Sequence, residues 1–227
     1  GSLEDKCTIQ LCHNSGNVNE QEDPNKIKKF DNLIECGGIV GYLYNSTIEF
    51  CYNNGEVSGT SDIGGVVGSL NGDLEKGLEE DFEIQSCYNN GNINGIANIG
   101  GVVGYLTKST IASCYNTGNI TGKCDNIKKV KNLGGIGGIG GVVGLLSHSS
   151  EIKSCYNTGG VIGEFGVINN LEEMGDYFGI NNFEEIEELE EFDESVEEFL
   201  DFGGVGGVTG SIGLDSAIQF CYSTGSI

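Results

Sequence analysis

Residues 100–120 read GGVVGYLTKSTIASCYNTGNI, from Gly100 to Ile120, and this stretch decides the fold. Its ending, CYNTGNI from Cys114, is one of six copies of a single phrase. The others are CHNSGNV from Cys12, CYNNGEV from Cys51, CYNNGNI from Cys87, CYNTGGV from Cys155 and CYSTGSI from Cys221. Its opening also returns, as GGIVG from Gly37, GGVVG from Gly64 and Gly140, and GGVTG from Gly206. Self-similarity at a period of tens of residues marks a stacked architecture, because one unit cannot bury its own apolar face. A stack builds an extended surface rather than a pocket.

Aligning the copies on the cysteine sharpens the reading. An Ile stands three residues before it every time, at Ile9, Ile48, Ile84, Ile111, Ile152 and Ile218. An aromatic follows in five copies, with His13 in the sixth. Next comes Asn14, Asn53, Asn89, Asn116 or Asn157, with Ser223 in the last copy. Short β-prone runs broken by Asn and Gly are strand chemistry. Stacked asparagines can bond along a ladder of identical side chains. Glycines such as Gly64, Gly100 and Gly140 allow a sharp corner or a close approach of the next layer. The step from Ile48 to Cys51 puts the two on opposite faces of a straight strand, so a bend must intervene if both are buried. The shortest cysteine interval, 27 residues from Cys87 to Cys114, gives the basic coil. It suits about three short strands by ordinary strand lengths. The fold expected is all-β: one parallel β-solenoid over 1–227, of about five to six coils.

Longer intervals are then insertions on a constant stack, at 20–35, 71–83, 123–136 and 164–203. Solenoid insertions leave as loops on one side. In the last, Phe183, Ile186, Leu189, Phe192, Val196 and Phe199 recur at helical spacing between acids. That pattern predicts an acidic amphipathic helix capped by Asn181 or Asn182 and packed on the solenoid flank.

Composition bounds the function. Gly is abundant at 39 residues with a single Pro, Pro24, which excludes collagen. The net charge of -23 repels phosphate, so neither nucleic acid nor an anionic membrane is expected as a partner. The longest apolar run, 134–146, is half glycine and too short to cross a bilayer. Six of the nine cysteines, Cys12, Cys51, Cys87, Cys114, Cys155 and Cys221, share one register. Stacked side chains point the same way, which suits buried thiols acting as small hydrophobes better than bridges. Cys7 with Cys12 or Cys36 is the pairing open to a disulfide, and Cys124 also lies outside the register.

The GGVVG-x-L phrase followed by I-x-x-CYN-x-G-x-[VI] resembles the GLUG repeat family. The resemblance covers nearly the whole chain apart from the insertions. It implies a passenger region of a bacterial surface protein, of the kind found in adhesin-like proteins and some immunoglobulin A-cleaving metallopeptidases. It carries over no catalytic residues, because the motif is structural. The acidic stretch 172–201 departs from the plain repeat.

Catalytic patterns are weak. The two histidines, His13 and His148, do not form the His-Glu-x-x-His of a metalloprotease helix. No Cys-x-x-Cys pair suggests structural zinc. Gly135-Ile136-Gly137-Gly138-Ile139-Gly140 matches a dinucleotide fingerprint by letter only, inside a glycine-rich repeat. A Ser-His pair could involve His148 with Ser147 or Ser149, but adjacent strand residues face opposite ways and no nucleophile elbow is present. No cofactor is expected. Calcium is the one ion left open, through Asp62, Asp73, Asp81, Asp125 and Asp176.

The expectation is a non-enzymatic extracellular stalk or adhesion segment. Its partners would be a protein or glycan on a surface, or further copies of itself. The chain opens and closes near a repeat phrase, which fits a piece of a longer protein or a unit stacking end to end. The rivals are a polysaccharide-active β-helix enzyme, disfavoured by the absence of Arg, and an ice-binding solenoid, disfavoured by the lack of a regular Thr face.

Overall fold

The structure, a computed structural model, describes residues 1–4, 6–19, 35–72, 83–124, 137–165 and 204–227. The helix expected between Phe183 and Phe199, with its caps Asn181 and Asn182, lies outside the described residues, as does Pro24.

The chain is a parallel β-solenoid of six stacked coils. In the fourth coil the strands are Ala97–Gly100, Val103–Thr107, Thr110–Ala112, Tyr115–Asn116 and Ile120–Cys124. We number the sheets they join one to five in that order. Sheets two, three and four have six strands and sheets one and five have five. A coil thus carries five short strands rather than about three, because Asn, Gly and left-handed residues break the backbone every few residues. Identical residues meet in register: Ile48, Ile84, Ile111, Ile152 and Ile218 in sheet three, and Tyr52, Tyr88, Tyr115, Tyr156 and Tyr222 in sheet four.

The expected bend is present in every coil. The residue before each repeat cysteine, Leu11, Phe50, Ser86, Ser113, Ser154 or Phe220, has φ between 52 and 55°. A non-glycine residue adopts this region at a cost. Here the turn lets Ile48 and Cys51 both point inward, and both are fully buried.

Each coil encloses two apolar cores rather than one. The larger lies between sheets two and three and includes Leu70, Val102, Leu106, Ile111 and Cys114. The smaller lies between sheets one and five and includes Ile63, Ile99, Ile120 and Val161. Between them the coil is pinched. The second glycine of each Gly-Gly corner abuts the repeat asparagine, so a Cβ built on Gly65, Gly101 or Gly141 would lie 2.3, 2.4 or 2.6 Å from the carboxamide carbon of Asn89, Asn116 or Asn157. The preceding glycine turns the corner itself. A Cβ on Gly64, Gly100 or Gly140 would lie within 1.9 Å of the carbonyl oxygen of Val67, Val103 or Val143.

The insertions leave mainly from one corner, with one exception. The chain leaves the described coils after Asn19, Cys124 and Phe165, each at the end of a sheet-five strand. The fourth departure, after Gly72, lies between sheets two and three. The path through sheets three, four and five is never interrupted. Each repeat Ile is followed by Val or Ile nine residues later, from Ile9 and Val18 through Ile218 and Ile227. Among the described residues, no helix is long and apolar enough to cross a membrane.

Candidate interaction surface

The repeat residues form three columns along the stack, two inside and one outside. The first is the asparagine ladder. Asn89 Nδ2 donates to Gly91 O at 2.6 Å and to Asn116 Oδ1 at 2.8 Å. Its Oδ1 accepts from Gly91 N at 3.2 Å and from Asn53 Nδ2 at 2.8 Å. Both donor hydrogens and both acceptor positions of the carboxamide are therefore used. The same pattern runs from Asn14 through Asn53, Asn89 and Asn116 to Asn157, whose amide ends on Ser223 Oγ at 3.3 Å. Asn53, Asn89, Asn116 and Asn157 are fully buried. An apolar interior accepts these amides only because each is satisfied.

The second column is sulfur. The Cys51, Cys87, Cys114, Cys155 and Cys221 thiols each accept the backbone N–H of the preceding repeat cysteine at 3.4 Å. Cys51, Cys87, Cys114 and Cys155 are fully buried, whereas Cys12 is exposed and Cys221 half-buried at the ends of the stack. Burial pushes the Cys51 thiol up to about 11 and holds Cys114 well above its ordinary value. Hydrogen bonding to Cys114 lowers Cys87 and Cys155. Cys7 and Cys36, like the repeat cysteines, are in no disulfide. Cys36 sits in the smaller core, so the considered pairing of Cys7 with Cys36 is not formed, nor is that with Cys12.

The third column is aromatic and lies on the outer face of sheet four. His13, Tyr52, Tyr88, Tyr115, Tyr156 and Tyr222 stack with centroids 4.8 to 5.2 Å apart and planes within 9° of parallel. The spacing is that of neighbouring parallel strands. Partial burial, then the charges of Tyr88 and Tyr156, push the Tyr115 phenol upward. Beside the rings run exposed polar residues: Asn90 Nδ2 donates to Asn54 Oδ1 at 2.9 Å, and Thr117 Oγ1 to Asn90 Oδ1 at 2.8 Å. Sequence reasoning noted the aromatic position without seeing this ladder. Its signal is the fixed one-residue step from a buried cysteine and two-residue step to a buried asparagine's neighbour, which turns the ring outward in every coil.

The other candidates separate. Ser147 and His148 do meet, with Oγ 2.5 Å from Nδ1. Alternation fails there because His148 is left-handed, with φ of 42°. Among the described residues no carboxylate hydrogen-bonds the imidazole to orient it, as a triad requires. Gly140 of the fingerprint is followed by the strand Val143–Ser147, so no helix N-terminus is offered to a phosphate. Of the acids weighed for calcium, Asp73, Asp81, Asp125 and Asp176 lie outside the described residues. Asp62 accepts from Asn98 Nδ2 at 2.7 Å. Burial, reinforced by the charge of Glu35, raises its carboxyl to about 6. Among the described residues, no group of three His, Cys, Asp or Glu side chains is placed to hold a metal ion.

Fold and columns together define a repeat-built parallel β-solenoid. A family model described as the GLUG motif matches residues 95–121, the span of one coil. The repeat is a GLUG repeat. No curated protein and no solved structure matches the chain.

Proposed function

We propose that this chain is a rigid, non-enzymatic stalk or adhesion segment of an extracellular surface protein. The observation that carries the reading is unbroken register. Ile, Tyr and Asn pair with their own kind from coil to coil while large insertions come and go at two corners. A body held by identical ladders is stiff along its axis, and its flanks offer long, flat contact surfaces. The GLUG motif, with the surface proteins its family implies, supports the setting.

Light scattering with electron microscopy across a concentration series tests it. Short rods of constant monomer mass are expected. Compact particles without an axis would overturn the reading. A second reading, self-assembly of copies end to end, is favoured by the last coil, where Ile212, Leu214, Phe220 and Ile227 are exposed. Filaments that lengthen with concentration would replace the stalk by that reading.

A further inference from the structure

The flank made by sheets three, four and five differs from the rest of the molecule. No insertion leaves from either of its inner corners in any of the six coils. Nine of the chain's 34 acidic residues lie in the described coils, the others in the insertions. In the two central coils this flank presents Tyr88, Asn90, Asn92, Tyr115, Thr117 and Asn119, none of them charged at neutral pH. The chain as a whole carries -23. A continuous uncharged panel of amides, hydroxyls and ring edges on such a chain calls for a partner that is itself neutral and polar.

We propose that this flank is a docking surface for an extended, uncharged β-linked polysaccharide lying along the stack, about one sugar to each coil. The period carries the choice. The rings recur every 4.8 to 4.9 Å between Tyr52 and Tyr156. An extended β-1,4-linked chain advances by a closely similar step per sugar, so the same contact repeats from coil to coil. The ring faces are occupied by their neighbours, which leaves ring edges and phenol hydroxyls for the sugar. The flanking polar residues are fixed in advance. Asn90 is tied to Asn54 and Thr117 to Asn90, and the backbone N–H of Asn119 is held by Asn92 Oδ1 at 3.1 Å. Prior fixing reduces the ordering cost of binding. An extended peptide fits worse, because it recognises a sheet edge and on this flank the strands are paired with the coils on either side. An anionic glycan is repelled by the acidic chain.

The proposal rests on the surface-segment reading for its setting, but its test is separate. The whole chain is titrated by calorimetry with β-1,4-linked glucose and N-acetylglucosamine oligomers of increasing length. The same titration is run on Tyr88→Ser and on the double variant Asn90→Asp with Thr117→Asp. The double variant changes exposed side chains only, and circular dichroism verifies its fold. Affinity is expected to climb with oligomer length, and to fall at least about tenfold in the acidic variant. Absence of binding to both neutral series overturns the proposal, as does affinity indifferent to length or to the substitutions. A dimer that Tyr88→Ser dissociates would assign the flank to a second copy and overturn it too. None of these outcomes alters the rod expected in light scattering, so failure here leaves the stalk standing.

Discussion

The asparagine at the waist of each coil does the work of several residues. It closes its own turn, joins two coils and fills the space left by a missing Cβ on the facing glycine. Asn116→Ala leaves the buried Gly118 N–H and two neighbouring carboxamides short of partners. A loss of roughly 3 kcal/mol or more is expected in urea unfolding. Ser223 is the one place where the ladder ends on a shorter side chain. Ser223→Asn is expected to raise stability by about 1 kcal/mol, visible as a higher Tm. Asp62 gives a pH dependence. Its folded value near 6 lies above the ordinary 3.8, so the folded state holds its proton when the unfolded chain has lost it. Its contribution is therefore greatest at low pH and falls away as pH rises from about 4 to about 6. Asp62→Asn removes that slope. It also suits the left-handed φ of 51°, as Asn98 does in the next coil. A gain on the order of 1–3 kcal/mol at pH 7 is expected, and chemical denaturation across the pH range reads both effects.

At the scale of elements, the left-handed residue between sheets three and four decides which side chains face inward. It permits two buried residues three positions apart, which no straight strand allows. The thiol column that results is checked by its chemistry. Cys12 should react with a thiol reagent within mixing time, while Cys51, Cys87, Cys114 and Cys155 should react only as fast as the protein unfolds. Rapid modification of all of them would refute the buried column. The Gly-Gly corner is equally strict. Gly101→Ala forces a methyl to within 2.2 Å of the Gly141 carbonyl oxygen as well as onto Asn116. Loss of the folded state at ambient temperature is expected by circular dichroism.

For the whole molecule, stability is shared between neighbours along one axis. The same substitution should therefore cost more in the middle than at an end. Ile111 is fully buried between two coils, whereas Ile218 in the last coil is 39% exposed. Ile111→Ala is expected to cost about 3–4 kcal/mol and Ile218→Ala about 1 kcal/mol, compared by urea midpoints. Equal costs would mean that the last coil is covered in solution.

Much of this was legible in the chain itself. Six copies of Ile-x-x-Cys with an aromatic and Asn behind fixed the period, the stacking of like on like and the need for a bend, because identical residues at identical spacing have one way to bury together. The coil's cross-section was not legible. Whether Gly65 faces Asn89 depends on how five short strands close around two cores, and residues 24 apart in sequence carry no local sign of that meeting. Nor does spacing say at which corner an insertion leaves. Period and register were thus determined by the sequence alone, through local backbone preference and repetition. The pinched coil, the outward tyrosine ladder and the uninterrupted flank were decided only by tertiary packing, which brings distant segments face to face.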